Sequence, residues 1–217
     1  MIQFSTTSYS AIYRNFKAIE NEPFAQQAVI RYYETYETKI LKLETEEYFE
    51  ILVAYNEALF EVEAYPKHIK ASQAIIVFAI EENIKDFGGV DIFEHTLFHK
   101  AQSHIQLHEY ESAAHIFKEL IRINPNAPEY PKGLYRCFIK QQPKYLLNSK
   151  AIFIALNLCI VLVIAAKLLV VDIFYETYQA DADMLRNILI VVAIAVLCGA
   201  NLLHQLQTKR KLSSFCQ

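Results

Sequence analysis

The sequence predicts an all-α protein: an antiparallel helix-hairpin array followed by a two-helix transmembrane hairpin. Three observations carry this. Only four glycines and six prolines occur in 217 residues, too few turn formers for a β-sandwich or an α/β fold. Apolar residues recur at i, i+3, i+4 and i+7 over residues 8–142, the period of an amphipathic helix. Apolar residues make up 53% of the chain, and most of the excess over an ordinary soluble protein lies after residue 150, in two runs long enough to cross a bilayer.

The helical pattern starts in "AIYRNFKAI", which sets Ile12, Phe16 and Ile19 on one face. It continues through "FAQQAVIRYYETYETKILKLETEEYFEILVAYNEALFEVEAY", rich in Tyr and Phe. Breaks fall at "ENEP" (20–23), "EAYPK" (63–67), "FGG" (87–89), "HEYE" (108–111), "NPNAP" (124–128) and "QQPK" (141–144). Roughly seven helices therefore precede the apolar runs, and short turns make neighbours antiparallel. The predicted organisation is a helical domain over 1–145, two membrane helices within 146–208, and a basic tail over 209–217.

The stretch "TLFHKAQSHIQLHEYESAAHIFKELIRINP" is the best repeat candidate, within 94–127. Leu97, Ala101, Tyr110, Ala113, Phe117, Leu120 and Pro125 stand at the spacings of a tetratricopeptide repeat, which the stretch resembles. Small residues let two helices approach, an aromatic fills the turn, and Pro125 ends the second helix. Lys100, His104 and His108 depart from the family, standing where Leu, Tyr and Gly are usual. A weaker copy lies over 52–85, with Tyr55, Leu59, His68, Ala71, Ile75 and Phe78 in register. Ala71 and Ala113 are 42 apart, the excess over the family period being the "DFGGVDIF" insert.

Five of seven histidines fall in this region: His95, His99, His104, His108 and His115. At about 100° per residue, His95 and His99 lie together, and His104 and His108 lie on the far side. Two separated pairs cannot converge on one ion as zinc requires, so no metal is expected. In such repeats the first helix lines a concave groove. The resemblance places His95, His99, Gln102 and Gln106 on that surface, with Phe98 at its apolar border, as a site for a peptide or helix of a protein partner. A merely solvated stripe is the competing reading. His104 and His108 belong to packing and the turn.

The membrane spans are read over 151–171 and 187–207, with an acidic connection over 172–183. Lys140, Lys144 and Lys150 precede the first span, and Lys209, Arg210 and Lys211 follow the second. By the positive-inside bias both termini face the cytoplasm, with Tyr175 and Tyr178 near the outer interface. "MIQFSTTSYSAIYRNFK" carries neither basic nor apolar signal region, so the first span directs insertion, most simply into a bacterial inner membrane. An organelle membrane with the domain in the cytosol obeys the same physics.

Inside the spans, Asn157 and Asn201 are expected to form interhelical hydrogen bonds. Lys167 either snorkels to the interface or meets a carboxylate of another subunit or an ion path. Ala195, Gly199 and Ala200 would permit close approach of a second copy, and hence a homo-oligomer.

The formal net charge of −3 gives no electrostatic basis for nucleic-acid binding. Residues 1–63 hold five Lys/Arg against eleven Glu, an acidic face. Cys137, Cys159, Cys198 and Cys216 form no CxxC and suggest no disulfide framework. There is no phosphate loop, nucleophile elbow or catalytic triad signature, so neither an enzyme nor a cofactor is expected. The expected function is a membrane-anchored interaction module or scaffold, or a subunit of a membrane complex. The alternative is an accessory subunit of a small transporter or channel that uses the hairpin and Lys167.

Overall fold

A computed structural model describes residues 10–141, 143–171 and 179–214. The predicted class is what it shows: helices throughout, interrupted by one small β-hairpin, ending in two long apolar helices. The chain divides after Leu134 into two compact units.

The first unit is an ordered series in which each helix packs on the next: α1 (Ala11–Glu20), α2 (Gln26–Ile40), α3 (Thr45–Glu61), α4 (Tyr65–Glu81), α5 (Ile92–Gln106) and α6 (Tyr110–Ile123). α7 (Glu129–Lys140) follows and carries the unit boundary. Ser10 caps α1 by accepting the Tyr13 N–H at 3.1 Å, and its own N–H donates to Glu47 of α3 at 2.8 Å. Pro66 sits in the first turn of α4, where its missing N–H is harmless.

The apolar pattern runs unbroken through residues 24–65, yet the chain turns at 41–44 and makes two helices there. Leu41 is right-handed helical (φ −62°) and Glu44 extended (ψ 152°), conformations open to any residue. No Gly or Pro is needed, so composition gives no sign of this turn.

The remaining helix ends explain the low glycine count differently. Glu63, Asn83 and His108 hold left-handed backbone (φ 60°, 53° and 61°). After each, a backbone N–H reaches back five residues: Ala64 to Leu59, Ile84 to Ala79 and Glu109 to His104, at 2.9, 2.8 and 2.9 Å. These are Schellman stops in which other residues take the usual glycine place. Glycine itself does this work in the "FGG" break. Gly88 and Gly89 (φ 59° and 81°) turn a β-hairpin whose strands are β1 (Asp86–Phe87) and β2 (Val90–Asp91). Asp91 then caps α5, accepting the Glu94 N–H at 2.9 Å.

The core is aromatic and aliphatic. Tyr33 stacks on Tyr55 (4.0 Å between centroids), and Phe49 lies between Phe78 and Phe87 (5.6 and 5.3 Å). Ile40, Ile51, Leu52, Leu59 and Ile75 are buried around them. Further along, Phe117 fills the space over Gly133, where an added Cβ would run into its ring.

The second unit contains α8 (Lys144–Ala166), a π-helical turn (Lys167–Val171) and α9 (Gln179–Ser213), with α8 packed along α9. Two helices are long and apolar enough to cross a membrane, over Lys144–Leu169 and Ala180–Ser213. Their most apolar windows are 0% and 11% buried, so these side chains point outward rather than into a soluble core. α9 already runs at Gln179, which puts Asp181, Asp183 and Arg186 on a helix. Residues 172–178 of the acidic connection, with Tyr175 and Tyr178, lie outside the described residues, as does Cys216.

Candidate recognition surface

α5 carries the predicted stripe, and its side chains diverge. His95 and His99 stack one turn apart, 4.3 Å between centroids, and His99 meets Phe60 of α3 at 4.6 Å. His99 is thus a half-buried contact between α5 and α3. Burial, with His95 adding to it, lowers its pKa to about 4, so the ring is neutral. Phe98 turns toward Tyr130 and Phe117, at 5.6 and 6.1 Å. The Tyr130 hydroxyl donates to Glu94, which also accepts from Asn124 at 2.9 Å. Gln102 is half-buried and Gln106 exposed. The structure therefore brings His95 and His99 together with Phe60, and commits Phe98 to packing between helices.

The other histidines sit where the chain turns. His104 Nδ1 is 2.6 Å from Glu109, and His108 Nδ1 is 2.9 Å from the Tyr110 hydroxyl. Among the described residues no group of three or more His, Cys, Asp or Glu is placed to hold a metal ion.

His68 is fully buried in α4 and anchors a polar chain through three helices. Ser72 donates to Asn56 Oδ1 of α3 at 3.0 Å, which uses its only hydrogen. The Ser72 oxygen then accepts from His68 Nε2, 3.4 Å away. Nδ1 is left as an acceptor for the Ser103 hydroxyl of α5 at 2.8 Å. A neutral ring satisfies every member, and burial lowers the His68 pKa to about 4, helped by His99, His104 and Lys100. Sequence reading put His68 in a repeat slot and missed this chain. The available signal was His68 and Ser72 four apart on an otherwise apolar face.

Beside this surface lies a cleft of about 170 Å³ between the α1–α2 turn and α3. Val29, Ala54 and Ala58 form its floor, and Glu20, Glu22, Glu57 and Glu61 its rim. Phe24 stands at the mouth with 94% of its surface exposed. Loss of solvent raises the Glu57 pKa. His95 opposes this, and Glu61 and Glu20 reinforce it. His95 and the cleft thus share an electrostatic neighbourhood.

In the hairpin two expectations change. Asn157 and Asn201 do not bond across to the other span: each donates to its own helix, to Phe153 O at 2.8 Å and Leu197 O at 3.0 Å. A carbonyl four residues back is always within reach of a helical Asn, and it closes the bond locally. Lys167 does not snorkel free. Its Nζ bonds both carboxylate oxygens of Asp183 at 2.7 Å, and Arg186 approaches the same carboxylate at 3.1 Å. The carboxylate comes from the same chain. At the other end, His204 Nε2 lies 3.2 Å from the Ile139 carbonyl, and Tyr145 donates to Gln207 at 3.0 Å. No atom lies within 4 Å of the Cβ position at Gly199, so Gly199 is not a point of close approach between the two spans.

Comparisons with known proteins find no matching family model, no matching curated protein and no matching solved structure.

Proposed function

We propose that this protein is a membrane-anchored interaction module, or the docking subunit of a membrane complex. The observation that carries this reading is the union, in one chain, of a helix array with an outward surface around His95 and a hairpin whose apolar side chains face away from protein. The hairpin supplies residence in the bilayer, and the array supplies a surface for a protein segment. We read the array as a divergent tetratricopeptide-type domain. Both termini face the cytoplasm, in keeping with the basic residues flanking the spans, and a bacterial inner membrane is the simplest location. No catalysis is assigned to the chain.

His99 also holds α3 and α5 together, so a fair test spares it. Replacing His95, Gln102 and Gln106 together by Ala should abolish recovery of specific partners in quantitative affinity purification from mild detergent. The hairpin and the overall helicity should stay intact. Partners recovered at unchanged levels would remove the groove from this reading. The transporter-accessory alternative would need Lys167 for transport, and its pairing with Asp183 favours the anchoring role instead.

A further inference from the structure

Given that reading of the array as a recognition module, we propose that the cleft between the α1–α2 turn and α3 receives one lysine or arginine side chain from an extended segment of the partner.

The floor is aliphatic (Val29, Ala54, Ala58) and the rim carries four carboxylates (Glu20, Glu22, Glu57, Glu61). A long cationic side chain has that same division: a hydrocarbon stem with a charged head. Size agrees, since about 170 Å³ is well below the roughly 300–1,000 Å³ of a drug-sized pocket and suits a single side chain. One rim carboxylate, Glu20, already has a cation of the chain, which leaves Glu22, Glu57 and Glu61 for an incoming one. Lys17 bridges Glu20 and Glu50, and Lys67 pairs with Glu34 at 2.5 Å. Glu61 accepts only the neutral Gln26 amide, at 2.6 Å. Among the described residues the side-chain carboxylates of Glu22 and Glu57 make neither a hydrogen bond nor an ion pair. Loss of solvent raises the Glu57 pKa, with Glu61 and Glu20 adding to it, and an arriving cation would oppose that shift.

Phe24 adds an independent observation. It is the most exposed large apolar side chain among the described residues, and it stands at the mouth of this cleft. An aromatic face beside carboxylates gives an incoming guanidinium or ammonium a cation–π contact as well as charge. A metal ion is a poor match, because hard cations require several converging oxygens and the rim groups surround an apolar floor. His95 acts electrostatically on Glu57, so the cleft lies within charge range of the stripe on α5.

The test uses the full chain in mild detergent micelles and two fluorescein-labelled peptides, GSALRALG and GSALQALG, followed by fluorescence anisotropy at low salt. The arginine peptide should bind saturably and weaken as salt rises. The glutamine peptide should bind at least about tenfold more weakly. The Glu57→Gln/Glu61→Gln variant and Phe24→Ala should each weaken the arginine peptide by a similar factor. No saturable binding, equal binding of the two peptides, or binding unaffected by these variants would overturn the assignment. Partner recovery separates the two readings. If Glu57→Gln/Glu61→Gln leaves it intact while the His95, Gln102 and Gln106 triple variant removes it, the cation cleft fails and the interaction module stands.

Discussion

In α3, α4 and α5 the polar groups lie inside: Asn56, His68, Ser72 and Ser103 are buried and bonded side chain to side chain. In α8 and α9 the arrangement is reversed. Leu162 and Val191 are 68% and 66% exposed, and Asn157 and Asn201 turn back on their own helices. The difference fits the two solvents that the proposed topology gives the two regions. In water, apolar contact drives assembly, and a buried polar chain is tolerated because every member finds a partner across helices. In hydrocarbon there is no such drive, and a lone amide is best satisfied by the carbonyl four residues back, which adds no bond between spans. The Lys167–Asp183 pair ties α8's π-helical end to α9 by charge.

The sharpest way to break this contrast is to remove one large side chain from each region. Phe117→Ala should cost the array about 3–5 kcal/mol, read as a lower urea midpoint by circular dichroism. Leu162→Ala, whose side chain faces outward, should leave that midpoint unchanged. Equal shifts would mean that the hairpin exterior is packed against protein.

A smaller effect sharpens the polar interior. The His68 pKa is depressed from 6.5 to about 4 in the folded state, so the unfolded chain takes up its proton first on acidification. The stability this neutral ring maintains is complete above pH 6.5. It declines as pH falls toward 4, by roughly 3 kcal/mol in all. His99 shifts the same way and adds to the slope. His68→Gln should flatten the stability profile across that window, and superimposable slopes for the two proteins would rule the mechanism out. The smallest effect belongs to the hairpin. Asn157→Leu and Asn201→Leu, singly or together, should change helix association in micelles by less than about 0.6 kcal/mol, measured by energy transfer between labelled spans.

Much of the architecture was legible in the sequence because it rests on periodicity and length. The apolar stripes, the proline-marked ends at Pro66 and Pro125, and the two long runs each follow from one rule applied locally. The turn at 41–44 was hidden because its residues sit in unstrained backbone. The destinations of side chains were hidden for another reason. The wheel grouped His95 with His99 correctly, but only tertiary packing decides that Phe60 covers one of them, or that Phe98 faces Tyr130 and Phe117. Ser103, Ser72 and Asn56 read as ordinary small or polar residues until three helices bring them to one ring. Likewise Lys167 and Asp183 are 16 residues apart, and their meeting depends on how α9 begins.

The left-handed helix stops at Glu63, Asn83 and His108 bear on cooperativity. Left-handed backbone costs an ordinary residue about 1–2 kcal/mol, so a detached peptide spanning any of these ends has little reason to stop there. It would fray or run on as a longer helix. The stop is held by what surrounds it, more so at Glu63 and His108 than at Asn83, since Asn takes left-handed backbone more readily. The boundaries of these helices are thus a property of the assembled array, and the array should form them together rather than one by one.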